Sequence, residues 1–279
     1  MTEPSNSINK AFSESAFSRA ARWARKPSAE RTRALAEMLR RLSALPFRFG
    51  KASFSKVFLA HHPDSHNFSN AHPEFHVLFK RFRKHNEANN AGDLARLWSL
   101  ILNLKQIIAE GIEGDFAELG VWRGNTASVL AWFAARSNRR VVLFDTFEGF
   151  HERDLKGIDA GQRAYFSDTS VELVKEVIGG ECEVCEFVRG HFPESLDSSH
   201  SARRYAAVSL DCDLYEPMKA GLRFFYPLMP KGGILLLHDY SSLAWAGAHM
   251  AIDEFCRETG EYAILLPDKS GSAVIRKSR

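Results

Sequence analysis

The sequence predicts an α/β fold, with a mostly parallel seven-stranded sheet, helices on both faces and an antiparallel hairpin at the C-terminal end. Three observations carry this prediction. From about residue 92, short apolar runs alternate with helical stretches. The runs are nearly continuous in apolar residues, as strands buried on both faces must be. The last two runs are separated by only a turn, which reverses the chain and makes one strand run against the rest. Residues 1–90 are expected to form a helical N-terminal extension that serves as a lid, and residues 91–279 the α/β domain.

Composition bounds the function. A chain of 279 residues can bury one large core, or a domain with a smaller appendage. A formal net charge of +3 is too small to imply a nucleic-acid partner. The basic character is local: residues 1–50 hold ten basic side chains against Glu3, Glu14, Glu30 and Glu37, and the remainder is slightly acidic. No apolar run reaches about 18 residues, so no membrane span is expected. The start lacks the apolar core of a secretory leader, which makes the cytoplasm the default compartment. Cys182, Cys185, Cys212 and Cys256 are too few and too scattered for a disulfide framework. Cys182 and Cys185 form a C-x-x-C, but it runs into a strand and has no matching second pair, so both read as incidental thiols.

The elements follow in order. Leu35, Met38, Leu39, Leu42 and Leu45 recur at helical spacing, with Arg31, Arg33, Arg40 and Arg41 mostly on the other side. Such a helix docks on the domain or on a second copy of the chain, so a homo-oligomer is compatible with the pattern. Residues 61–85 hold six of the 11 histidines. Their spacing is irregular and no carboxylate pattern accompanies them, which argues against a metal-binding tract. Asp93–Ala109 reads as a helix with Leu94, Leu97, Ile101, Leu104 and Ile108 on one face. The strands are Phe116–Val121, Val141–Asp145, Cys185–Gly190, Tyr205–Asp211 and Gly233–His238, and Tyr262–Leu266 and Ser272–Arg276 form the hairpin.

Strand ends carry the chemistry. The first strand leads through Glu118-Leu-Gly120-Val-Trp-Arg-Gly124 directly into a helix. Gly120 permits the sharp turn and lets a ligand approach the backbone closely. The pattern is E-x-G-x-x-x-G rather than the dinucleotide G-x-G-x-x-G, and a carboxylate at Glu118 suits a cationic ligand such as a sulfonium better than a pyrophosphate. A plain tight turn would leave the same trace. Asp145, at the end of the second strand, is placed to accept two ribose hydroxyls, in NAD as well as in S-adenosylmethionine. The third strand ends in Arg189-Gly190-His191, beside the expected adenine. The fourth ends in Leu210-Asp211-Cys212-Asp213, where strand alternation puts Asp211 and Asp213 on one face. The fifth ends in His238-Asp239. Asp211, His238 and Asp239 should therefore converge at the switch point, and buried acids are costly unless paired or metal-bound.

The segment from about Asp93 to Phe255 resembles the macrocin O-methyltransferase (TylF-type) family of class I methyltransferases. The matching stretches include Phe116-Ala-Glu-Leu-Gly-Val-Trp-Arg-Gly124, Phe144-Asp-Thr-Phe-Glu-Gly149, Ser167-Asp-Thr-Ser170, Gly190-His-Phe192, Leu210-Asp-Cys-Asp-Leu-Tyr-Glu216 and Gly232-Gly-Ile-Leu-Leu-Leu-His-Asp-Tyr240. The resemblance implies a Rossmann-like fold and methylation of a hydroxyl on a sugar or natural product. It implies S-adenosylmethionine at Glu118, Gly120, Asp145, Ser170 and Gly190. It also implies a divalent metal, usually magnesium, at Asp211, His238 and Asp239, with Asp211 as base. One departure matters: the better-known members carry two aspartates where this chain has His238-Asp239. An imidazole disfavours magnesium, so the ion is manganese, or the site is weakened, or His238 is itself the base. Two rivals stay in view: a nicotinamide-dependent oxidoreductase, and a non-catalytic module whose basic N-terminus binds nucleic acid or membrane.

Overall fold

The computed structural model describes residues 72–163, 165–242 and 244–279. They belong to one compact unit, Phe54–Arg279, while a second unit, Met1–Ser53, lies outside them. The expected basic helix and His61, His62 and His66 also fall outside the described residues. No helix among those described is long and apolar enough to cross a membrane.

Among the described residues, three helices precede the sheet: α1 (Phe75–Arg83), α2 (Glu87–Asn90) and α3 (Leu94–Ala109). Asp93 caps α3 by accepting from the Arg96 amide, which satisfies one of the donors that every helix start leaves open. The alternation then runs β1 (Asp115–Leu119), α4 (Asn125–Arg136), β2 (Val141–Asp145), α5 (Val171–Ile178), β3 (Cys185–Arg189), α6 (Ser198–Ser201), β4 (Tyr205–Leu210), α7 (Tyr215–Leu228), β5 (Ile234–Leu237), α8 (Ala246–Thr259), β6 (Ile264–Leu265) and β7 (Ala273–Arg276). The strands form one seven-stranded sheet in the order β3-β2-β1-β4-β5-β7-β6. β1 to β5 pair in parallel, and β7 runs antiparallel to both β5 and β6. The fold expected from the alternation is therefore present, with β2 and β7 ending where the sequence suggested and the other five strands one or two residues earlier.

Two apolar layers cover the sheet. Leu78 and Phe82 of α1, the buried side of α3 and most of α4 pack on one face. Met218, Leu222 and Phe225 of α7, with Ala251, Ile252 and Phe255 of α8, pack on the other. All six residues of β4 are buried, which is why that strand shows no polar alternation. α1 thus shares the core of the domain. Cys182 and Cys185 are free thiols, and burial pushes Cys185 up to about 12, as expected of an unreactive group.

Candidate active site

Because β1, β2, β4 and β5 are parallel, their C-terminal ends share one edge of the sheet. They open into a cleft of about 270 Å³ whose lining includes Glu118, Gly120, Asp145, Gly190, Asp211, His238 and Asp239. Seven of the eight site residues read from the sequence are thereby brought together. Ser170 does not line the cleft. Its hydroxyl caps α5, accepting from the Leu173 amide at 3.1 Å.

The first turn is built by two residues. Gly120 has φ +84°, and a Cβ there would lie 2.1 Å from the Asp211 carbonyl oxygen. Only glycine lets the ends of β1 and β4 come this close. Asp145 holds the turn from the next strand. Its Oδ2 accepts from the Val121 and Trp122 amides at 2.6 and 2.9 Å, and its Oδ1 from the Phe147 amide at 2.7 Å. Glu118 is 1% exposed, and while its Oε1 meets Ser209 Oγ at 3.5 Å, its Oε2 has no partner. Burial, reinforced by Asp211, raises its pKa well above the ordinary carboxylate range. A buried oxygen without a donor is a feature to be explained, and here it lines a cleft.

The acid cluster lies across the turn. The alternation expected for 211–213 does not persist, because β4 ends at Leu210 and Asp213 takes φ +59°. Asp213 is buried, and burial together with Asp239 and Asp211 pushes its carboxyl well upward. β5 likewise ends at Leu237, and Asp239 takes φ +60°. That reversal lets neighbouring His238 and Asp239 face the same point. His238 Nδ1 lies 2.6 Å from Asp211 Oδ1 and contacts Asp239 Oδ2. Among the described residues these three form the one acid-and-imidazole group whose donor atoms lie within 4.8 Å of one another.

Arg96, from the first turn of α3, completes the cluster. Its Nη1 contacts His238 Nε2, and its Nη2 donates to Thr126 Oγ1 at 3.2 Å and lies 3.8 Å from Asp211 Oδ2. Burial opposes ionisation of Asp211, but His238 and Arg96 prevail and hold its carboxyl below the usual range. For His238 two influences conflict. Burial opposes a charge on the ring, Asp211 and Asp239 favour it more strongly, and the balance of charges moves the pKa well up. An arginine N–H aimed at Nε2 requires a lone pair there, however, because guanidinium only donates. With Arg96 as donor to Nε2, the proton that Asp211 and Asp239 attract is the one on Nδ1.

The rest of the wall comes from loops. Asn86, Asn89 and Asn90 line the cleft from the α1–α3 side. Phe150, Phe166 and Trp245 also line it and pack edge-on or tilted, with centroids 5.2 to 6.1 Å apart. Sequence reasoning missed Arg96 and these aromatics. Arg96 left one trace: it lies three residues after Asp93 and four before buried Leu100, so it shares a half-buried side of α3.

The sequence model of one family, described as Macrocin-O-methyltransferase (TylF), matches residues 87–265. The chain belongs to this family. Among curated proteins, the 8-demethyl-8-(2,3-dimethoxy-alpha-L-rhamnosyl)-tetracenomycin-C 4'-O-methyltransferase of Streptomyces olivaceus is 29% identical over 160 residues, 53% of this chain and 61% of that protein. Mycinamicin III 3''-O-methyltransferase of Micromonospora griseorubida is 25% identical over 162 residues, 53% of this chain and 63% of its own. The chain thus spans about three fifths of the length of these TylF-type relatives. Of solved structures, the O-methyltransferase NovP aligns with a TM-score of 0.57 at 22% identity, covering 66% of this chain and 80% of that one. CalS11, a calicheamicin methyltransferase, aligns at 0.55 and 23% identity, covering 78% and 96%. Both share the Rossmann-like methyltransferase fold with this TylF-family chain.

Proposed function

We propose that the chain is an S-adenosylmethionine-dependent O-methyltransferase acting on a hydroxyl of a sugar or natural-product small molecule. The observation that carries the reading is Glu118 Oε2, a buried acceptor with no donor, in the same cleft as the Gly120 turn and the Asp211 cluster. A ligand with a positive α-ammonium group would satisfy it and favour its ionised form, which a pyrophosphate would not. The curated relatives are O-methyltransferases, which supports the same class. Glu118, Gly120 and Asp145 are the residues we assign to the cofactor. Gly190 borders the adenine end, and Ser170 acts through the helix it caps. Asn86, Asn89 and Asn90 extend the acceptor wall, in keeping with a lid role for the segment before residue 91.

When bound, S-adenosylmethionine supplies an electrophilic methyl group on a positive sulfur. The chain must hold a hydroxyl in line with it and take its proton as the new C–O bond forms. We assign proton acceptance to Asp211. His238 holds the Oδ1 of that carboxylate through Nδ1–H, and Asp239 Oδ2 meets the same Nδ1. With Nε2 facing Arg96, the imidazole has no free lone pair with which to serve as the base. Asp211, His238 and Asp239 converge as a divalent-metal site requires, but their hydrogen bonding does not fit one. An imidazole that ligates through Nδ1 must carry its proton on Nε2, where it would face an arginine N–H.

Calorimetry with S-adenosylhomocysteine and with NAD tests the reading. We expect micromolar-class affinity for the first and none for the second. Binding of NAD alone would overturn it in favour of an oxidoreductase.

A further inference from the structure

The cluster that would face a metal carries a cation of its own. The Arg96 side chain is only 14% exposed, and its guanidinium packs over the Phe82 ring at 5.1 Å. It touches His238 Nε2, donates to Thr126 and lies 3.8 Å from Asp211. An arginine stays charged at any working pH, and a buried one demands anionic partners. Asp211, Asp93 just before α3, Asp268 and Asp239 are the carboxylates whose charge favours it, so the cation is held beside the candidate metal position by the fold itself. The three donors that would meet an ion are turned inward: both carboxylates onto His238 Nδ1, and the ring's other nitrogen onto Arg96.

We infer that Arg96 takes the place of the divalent metal, so that this chain assembles its proton-accepting carboxylates around a guanidinium–imidazole pair and needs no ion. Arg96 is then a positioning residue: it fixes the His238 tautomer, and His238 fixes Asp211. The inference rests on the methyl-transfer reading only for what the cluster acts upon, since the exclusion of metal is a property of the free protein.

The test is Mn²⁺ binding by the full chain after exhaustive chelation, followed by electron paramagnetic resonance of the free ion. The wild type should leave the free-ion signal undiminished at equimolar Mn²⁺. Arg96→Met removes the opposing N–H and the charge, and should bind one ion per chain. Arg96→Lys keeps the charge without the fork and should remain metal-free. One Mn²⁺ bound by the wild type would overturn the inference, as would failure of a folded Arg96→Met to gain binding. Should Arg96→Met not fold, the wild-type titration alone decides. In turnover, chelation should change the wild-type rate less than twofold, whereas Arg96→Lys should lower kcat with little change in the cofactor KM. If S-adenosylhomocysteine does not bind, the functional reading fails while the Mn²⁺ result still stands or falls separately.

Discussion

Glu118 is held at a cost that pH should expose. Its carboxyl is buried and its pKa in the folded chain lies well above the ordinary value of 4.5. The native state therefore binds a proton that the unfolded state has already released, and stability falls as pH rises from about 4.5 through the raised value. Glu118→Gln removes this titration. Relative to wild type, the variant should gain thermal stability at pH 8 and gain nothing at pH 4, and equal shifts at both would show that Glu118 does not titrate there. Asp145 invites a different substitution. Asparagine keeps the shape but has one acceptor oxygen, so at least one of the Val121, Trp122 and Phe147 amides would face an NH₂ group. Asp145→Asn should destabilise the ligand-free chain by about 1–3 kcal/mol and weaken S-adenosylhomocysteine binding as well. Unchanged melting with weaker binding would mean that Asp145 serves only the ligand. These residues were legible in the sequence because each ends a strand and a parallel sheet gathers such ends on one edge. Arg96 was not, since its partner His238 lies 142 residues away and nothing in a helical spacing announces it. Ser170 belonged to a recognisable motif, yet the motif does not distinguish a ligand contact from a helix cap.

Among the elements, β4 shows where local rules stop. Period-two alternation holds only while the backbone is extended, and the left-handed residue at Asp213 ends it. The same reversal at Asp239 turns two adjacent side chains toward one point. Non-glycine residues adopt such angles uncommonly, aspartate more readily than most, and clusters of them mark functional sites. Gly120 is the least replaceable position of the first turn. Its Cβ would strike the Asp211 carbonyl, backbone that cannot rotate aside. Gly120→Ala should abolish S-adenosylhomocysteine binding and lower the melting temperature. A variant with native affinity would show that β1 and β4 can separate at this end without consequence.

For the whole molecule, the apolar core includes side chains that precede residue 90. Leu78 and Phe82 are fully buried in the same cluster as α3 and α4, and the Asn125 side chain donates to the Arg81 and Lys84 carbonyls. Burial of two such side chains contributes about 3–6 kcal/mol. Domains of this kind are stable by only about 5–15 kcal/mol. Deleting residues 1–90 should therefore leave a chain without a cooperative melting transition, whereas Phe82→Ala, costing about 3–5 kcal/mol, should melt early but cooperatively. A truncated chain that melted like the parent would show that α1 and α2 are dispensable. Periodicity found α3 but singled out neither α1 nor α2, and it could not say which helices the sheet requires.

The contact between Gly120 and Asp211 has a consequence for anyone wishing to redirect the proposed activity. Asp211 N donates to Leu119 O and His238 N to Leu210 O, both at 2.9 Å, so the Gly120 turn and the Asp211 cluster form a single backbone-tied piece. Phe150, Phe166 and Trp245 reach the cleft from loops outside that piece. A combinatorial library confined to those three aromatics should change which hydroxyl compound is accepted while nearly every member keeps its affinity for S-adenosylhomocysteine. A library of equal size at Gly120 and Asp211 should yield almost no binders. The fold separates what can be redesigned from what must be inherited.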